Sequence, residues 1–218
     1  YSVLNEDGTW TEAKRLSNSI NIGRYNAILG ILDDGNTFLI NGKYSKNGKY
    51  WIDRGLSLIE RTDSENWGKP ISLNVAGYTR QNRGRATTAY ITPDKNYIFL
   101  SYSKRSNKKD NKLYIAIKKD NGKYSKPQEL NFVGKDNGDS YEAPFLSADG
   151  KALYFSCKVK GNYNLYASNR TDDTYKNWSL PIPLSDTINT AGWENYYRLN
   201  KKENWAYFCS DSASIGKS

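Results

Sequence analysis

Two glutamates raise the question of chemistry. Glu142 and Glu194 each stand near the start of an alternating apolar run, and two suitably spaced carboxylates are all that glycoside hydrolysis requires. The recurrent positions ahead of the short reversals in this chain are occupied by Arg24 and Asn26, Arg83 and Arg85, Tyr141 and Glu142, and Glu194 and Asn195. Charge variety at equivalent positions of a repeat is what a heterogeneous binding surface shows, and these are the candidate binding residues, placed at the mouth of a channel. Acids in such places more often solvate the mouth or cap loops than catalyse, so no catalytic residue is assigned.

Other chemistries are excluded by composition. The chain has no histidine, which removes a Ser-His-Asp triad, an H-E-x-x-H zinc site and a histidine general base. Two cysteines do not make a structural zinc site, and no Gly-rich phosphate loop of the G-x-x-x-x-G-K-[ST] kind is present. Neither a cofactor nor a metal is expected.

The elements that must position these residues are visible as repeats. NWSLPIPL (177 to 184) sets Trp178 ahead of Pro181 and Leu184, and the frame recurs as Trp67, Pro70, Leu73, as Tyr124, Pro127, Leu130, and as Trp10, Ala13, Leu16. The aromatic residues fall 57, 57 and 54 positions apart. Periods in this range point to propellers or solenoids. A second frame lies between the copies: FLSADGKALYFSC (145 to 157) matches ILDDGNTFLINGK (31 to 43), ITPDKNYIFLSYS (91 to 103) and RLNKKENWAYFCS (198 to 210) without gaps. Asp149-Gly150 and Asp34-Gly35 suit a tight reversal, whereas Asp94-Lys95 and Lys202-Glu203 are poorer versions. A third strand follows at 55 to 60, 112 to 117, 164 to 169 and 1 to 5, and the aromatic frame opens a fourth, outer strand where proline is tolerated. Four antiparallel strands in just over fifty residues make one blade of a β-propeller, and the repeated aromatic side chains are expected to pack the outer strands of the blades.

The stretch EAPFLSADGKALYFS (142 to 156), with GNYNLY (161 to 166) and WSLP (178 to 181), resembles the PD40, or WD40-like, β-propeller repeat. The same repeat builds the propeller of TolB and occurs in envelope proteins that carry an OmpA-like domain. The resemblance covers nearly the whole chain, is sharpest over residues 139 to 190, and weakens near 24 to 74 and 194 to 210. It implies a bacterial protein of the periplasm or outer membrane, or one otherwise exported. A fainter likeness, of NEDGTW (5 to 10) to the Asp-box of sialidases, lacks the serine and has its glycine one residue early.

The fold expected is therefore all-β, a single propeller domain over residues 1 to 218 with about four blades. The chain opens on third and fourth strands and stops after first and second strands, so pairing residues 1 to 16 with the strand ending near Ser210 closes the ring. The alternative is a segment of a propeller with five or more blades. Cys157 and Cys209 fall one position out of register, which turns their side chains to opposite faces and argues against a disulfide. No run is long and apolar enough to span a bilayer. The net charge of +9 includes the run Lys104, Arg105, Lys108, Lys109, Lys112. Interrupted by Ser, Asn and Asp, that run reads as a solvated hairpin, and no nucleic acid is expected. The functional expectation is a non-catalytic binding or scaffolding module of a bacterial envelope, with a protein, envelope polymer or glycan as partner. The runner-up is a carbohydrate-active propeller, either a lectin or a sialidase- or glycosidase-like hydrolase.

Overall fold

The computed structural model describes residues 1–16, 18, 20–21, 27–32, 35–63, 66–134, 138–200 and 204–212. Asp34 of the first expected turn and Lys202-Glu203 of the last lie outside the described residues. The chain divides into two compact units, Tyr1–Leu73 and Asn74–Ser218.

In the first unit, β1 (Ile28–Ile31), β2 (Thr37–Tyr44), β3 (Trp51–Glu60) and β4 (Ile71–Ser72) form one antiparallel sheet in chain order. Phe38, Ile40, Tyr44, Ile59 and Trp67 pack with Ile20 into its core, with Leu16 against them. The Phe38 and Trp67 rings lie 4.0 Å apart, and the Arg61 guanidinium covers Trp67 at 5.2 Å.

The second unit begins with a single helical turn, α1 (Tyr78–Gln81). Then come β5 (Thr87–Ile91), β6 (Tyr97–Tyr102), β7 (Lys112–Ile117), β8 (Gln128–Glu129), β9 (Asn131–Phe132), β10 (Ser140–Leu146), β11 (Ala152–Val159) and β12 (Asn162–Asn169). The last strands are β13 (Asn177–Trp178), β14 (Ile182–Pro183), β15 (Glu194–Leu199) and β16 (Ala206–Ser210). Two further four-stranded antiparallel sheets run β5-β6-β7-β8 and β10-β11-β12-β14, and β15 pairs with β16. The outer strands β4, β8 and β14 are two residues long and directly follow Pro70, Pro127 and Pro181, as a missing N–H requires at an edge. No sheet closes on itself among the described residues.

Side-chain-bonded turns set the true equivalences between repeats. The Thr92 hydroxyl donates to Asp94 at 2.5 Å and the Thr92 N–H to the Tyr97 carbonyl at 3.0 Å; Ser147 does the same with Asp149 and Ala152, at 2.6 and 2.8 Å. Lys95 takes φ 58° where Gly150 takes 70°, so the poorer turn sequence builds the same reversal. Thr92 thus corresponds to Ser147, whereas the gapless alignment sets it against Leu146. That alignment is one residue out for this repeat and, by the equivalent Leu32–Thr37 backbone bond, for the first.

The aromatic frame is equally regular. A side-chain acceptor precedes each aromatic residue: Asp7, Asn121 and Asp172 form Asx turns, accepting from the N–H of Thr9, Lys123 and Thr174, and Asp63 accepts from the N–H of Asn66. Each aromatic residue then closes a small antiparallel bridge: Leu4 with Trp10, Arg61 with Trp67, Lys118 with Tyr124, Arg170 with Trp178. Trp178 also pairs in parallel with Phe132, and Tyr124 with Val75. Trp178 is fully buried among Phe99, Leu113, Ile115, Leu130, Tyr141 and Phe155, which come from both four-stranded sheets of the unit or the segment linking them. It therefore joins two sheets, beyond the expected packing of one blade's outer strands. Trp10, by contrast, is 61% exposed.

The basic run is engaged within its own neighbourhood. Arg105 pairs with Asp110 at 2.8 Å, Lys104 lies 3.7 Å from Glu129 and 4.7 Å over Tyr114, and Lys112 covers Tyr141. Cys157 is buried and Cys209 exposed, both free, as their register offset predicts. Among the described residues no helix is long and apolar enough to cross a membrane.

Two predictions follow from the packing and the turns. Trp178→Ala should cost about 3–5 kcal/mol in chemical denaturation, the range for emptying a large core site. Ile182→Ala, at an exposed position of the same sheet, should stay within about 0.5 kcal/mol. The second concerns pH. The Ser147 hydroxyl and the Lys151 N–H hold Asp149 below the ordinary 3.8; at Asp94 partial burial pushes upward, but bonds from Thr92 and Asn96 outweigh it. A depressed carboxylate contributes stability that is present above its unfolded value and lost as pH falls through its folded one. Melting temperature should therefore drop as pH falls below 3.8. The Asp94→Asn/Asp149→Asn variant, which keeps an acceptor but no charge, should show a shallower acid limb; an identical limb would rule these turns out as the cause.

Candidate functional site

Strands β5, β10 and β15 are the first strands of successive sheets in the second unit, and the turn equivalences align them residue by residue. Two positions before the turn residues Thr92, Ser147 and Asn200 stand Tyr90, Phe145 and Arg198. They touch one another: the Tyr90 and Phe145 rings meet nearly edge-on at 5.2 Å, and the Arg198 guanidinium sits 5.4 Å over Phe145. Equivalent positions of neighbouring first strands thus form one continuous wall.

The next level of that wall holds Thr88, Ala143 and Tyr196. The Ala143 N–H donates to the Thr88 hydroxyl at 2.7 Å. Ala143 and Tyr196 both adopt left-handed backbone, φ 50° and 59°, where β10 and β15 each slip register against their partner strand. Such bulges re-aim side chains and increase local twist. One residue earlier come Thr87, Glu142 and Asn195. The Asn195 amide donates to Glu142 Oε2 at 3.2 Å, Tyr163 donates to Oε1 at 2.9 Å, and the Ser156 hydroxyl holds Asn195 Oδ1 at 2.6 Å.

Of the residues expected from sequence, Glu142 and Asn195 are brought together on this wall. Tyr141 and Glu194 are not exposed at a channel mouth, because strand alternation turns both inward. Tyr141 is part of the hydrophobic core, with Lys112 Nζ 4.8 Å over its ring. Glu194 is fully buried, one carboxylate oxygen accepting from Thr190 at 2.6 Å and Ser210 at 2.9 Å, the other sealed without a partner. Arg83 and Arg85 are exposed in the loop ahead of β5, and the positions equivalent to Tyr141 and Glu142 are Ala86 and Thr87. The backbone N–H groups of Arg83 and Arg85 donate instead to the carbonyls of Ser103 and Lys108. Arg24 and Asn26 lie outside the described residues.

Sequence reasoning missed Arg198, Tyr90 and Tyr196. The one-residue alignment error hid Tyr90, since it sets Ile91 rather than Tyr90 in the row of Phe145 and Arg198. Burial pushes Arg198 down to about 10, which leaves it charged at neutral pH. Its Nη1 donates to the carbonyls of Tyr197 at 2.8 Å and Ala143 at 3.3 Å, and no carboxylate pairs with it among the described residues. Burial, reinforced by the Glu142 carboxylate, pushes the Tyr196 phenol up, and burial pushes Tyr163 up to about 12. Phenols so raised are hydrogen-bond donors rather than proton-transfer groups near neutrality. Outside the wall, Trp193, Trp205, Tyr207 and Phe208 are exposed around the β15–β16 hairpin. Among the described residues no group of three or more Cys, Asp or Glu side chains could hold a metal ion.

No family model matches the chain, and no curated protein matches it. Among solved structures it is similar to TolB from Acinetobacter baumannii, at 17% identity over 83% of this chain and 36% of that one, with a TM-score of 0.44. It is also similar to the Pseudomonas aeruginosa periplasmic gluconolactonase PpgL, at 11% identity over 94% of this chain and 69% of that one, with a TM-score of 0.49. The chain thus spans about a third of the TolB structure that it matches.

Proposed function

We propose that this chain is a non-catalytic β-propeller module that binds or scaffolds in a bacterial envelope, periplasmic or otherwise exported, with a protein or an envelope polymer as partner. What carries this reading is the fate of the two acids. A hydrolase of the retaining or inverting kind needs both carboxylates open to the substrate. Glu194 is sealed in a hydroxyl-lined niche, and both oxygens of Glu142 accept from neighbours on the wall. The wall beside them offers aromatic faces, an acceptor and a cation, the mixture that ligand sites use for orientation. The test combines binding to purified peptidoglycan and lipopolysaccharide with assays on chromogenic glycosides. Binding that weakens several-fold in Glu142→Ala/Asn195→Ala, with no turnover, is the expected result. Hydrolysis that disappears in Glu142→Gln would replace this reading with the carbohydrate-active one.

Ring closure is part of the same proposal. Residues 1–16 carry the Asx turn and the Leu4–Trp10 bridge of a third and fourth strand, and the β15–β16 hairpin supplies a first and second. We take them as complementary halves of a fourth blade, which removes an exposed sheet edge. Deleting residues 1–14 leaves Leu16 in place, so any loss reports the strands alone. The truncated chain should self-associate or melt earlier, by an amount reflecting roughly 1.5–3 kcal/mol per large side chain uncovered. An unchanged, monomeric melting profile would favour a segment of a larger propeller.

A further inference from the structure

We propose that the Arg198 guanidinium is the seat for the carboxylate of a small ligand on the first-strand wall, with the Tyr196 hydroxyl beside it and the Phe145 and Tyr90 rings as its floor. The inference rests on the binding-module reading and gives it a ligand class. Three observations converge. Arg198 is a partly buried cation whose protein acceptors among the described residues are two backbone carbonyls, both served by Nη1. Its Nε and Nη2 have no acceptor among the described residues, although guanidinium presents its donors as a planar fork that matches a carboxylate edge. And its place is set by more than its own strand: the Phe145 ring supports the guanidinium plane, the Tyr90 ring braces Phe145, and the left-handed residues Ala143 and Tyr196 aim the backbone at that point.

The charge balance selects the kind of anion. A single guanidinium supplies one positive charge, and Glu142, close enough to influence the Tyr196 phenol, supplies a negative one on the same wall. A dianionic phosphate would meet one cation and one like charge, whereas a monoanionic carboxylate is matched by the fork and spared most of the repulsion. The aromatic floor adds affinity for a ligand whose carboxylate is attached to an apolar or ring-shaped body.

The experiment follows the Arg198 Nε–H resonance of the 15N-labelled full chain, assigned by its loss in Arg198→Gln, during titration with benzoate, benzamide and phenylphosphonate at low ionic strength. Benzoate should move the resonance saturably and benzamide should not. Arg198→Gln should weaken benzoate binding about tenfold or more, the effect of deleting one charge-assisted bond, and Glu142→Gln should improve phenylphosphonate more than benzoate. If Arg198→Gln does not fold, the wild-type titration and a several-fold loss in Tyr196→Phe carry the decision. The proposal is overturned if benzoate leaves the resonance unmoved, if benzamide moves it equally, if the Gln variant folds and binds benzoate undiminished, or if phenylphosphonate binds as tightly as benzoate. A chain that takes benzoate at Arg198 yet ignores peptidoglycan and lipopolysaccharide would sink those polymers as partners and leave the seat standing. The reverse result would sink the seat alone.

Discussion

Everything in the larger unit depends on one burial, that of the aromatic side chain which opens the outer strand of each repeat. A four-stranded meander has two faces and cannot cover both. Trp178 solves this by belonging to two sheets at once: its backbone bridges Arg170 of its own meander and pairs in parallel with Phe132, while its ring reaches Phe99 of the preceding sheet. Its indole N–H is satisfied locally by the Tyr175 carbonyl at 3.0 Å, so the ring enters the core with no unpaired donor. The first strands lie side by side as a consequence, and only then can residues one repeat apart touch.

That repetition explains why the sheets were legible in the sequence and the wall was not. The aromatic frame, the Asp-bearing turns and the alternating strands are local signals, and each is written three or four times. Register between repeats is different, because a single inserted residue moves every partner and leaves composition unchanged. The hydrogen bonds of Thr92 and Ser147 decide it, and they shift the gapless alignment by one. Tyr141 and Glu194 were misplaced for a related reason: alternation turns one of each adjacent pair inward, and the bulges at Ala143 and Tyr196, built without glycine, gave no warning of the local change in direction. Arg198 carried no local mark at all.

The wall also shows how a repeat can diverge without loss of fold. Tyr90, Phe145 and Arg198 occupy one position and keep contact through two different chemistries: an edge-on aromatic pair, then a cation over a ring. Thr88, Ala143 and Tyr196 vary as freely, while the serines behind them, Ser101 and Ser156, stay fully buried and bond forward to Tyr141 and Asn195. The scaffold is constrained on the core side of each first strand, and the wall side is free to specialise.

β16 is exposed at every residue, whereas β6 and β11 carry residues with no accessible surface at all. A strand with one neighbour and little overlying apolar cover can part from the sheet without disturbing the rest. Its amide protons would trade with solvent through brief local fraying, on a timescale separate from that of the central strands, whose exchange requires the whole unit to open. The second unit is thus graded in rigidity, firm where the aromatic side chains join its sheets and looser at β16, the strand that the proposed ring closure would cover.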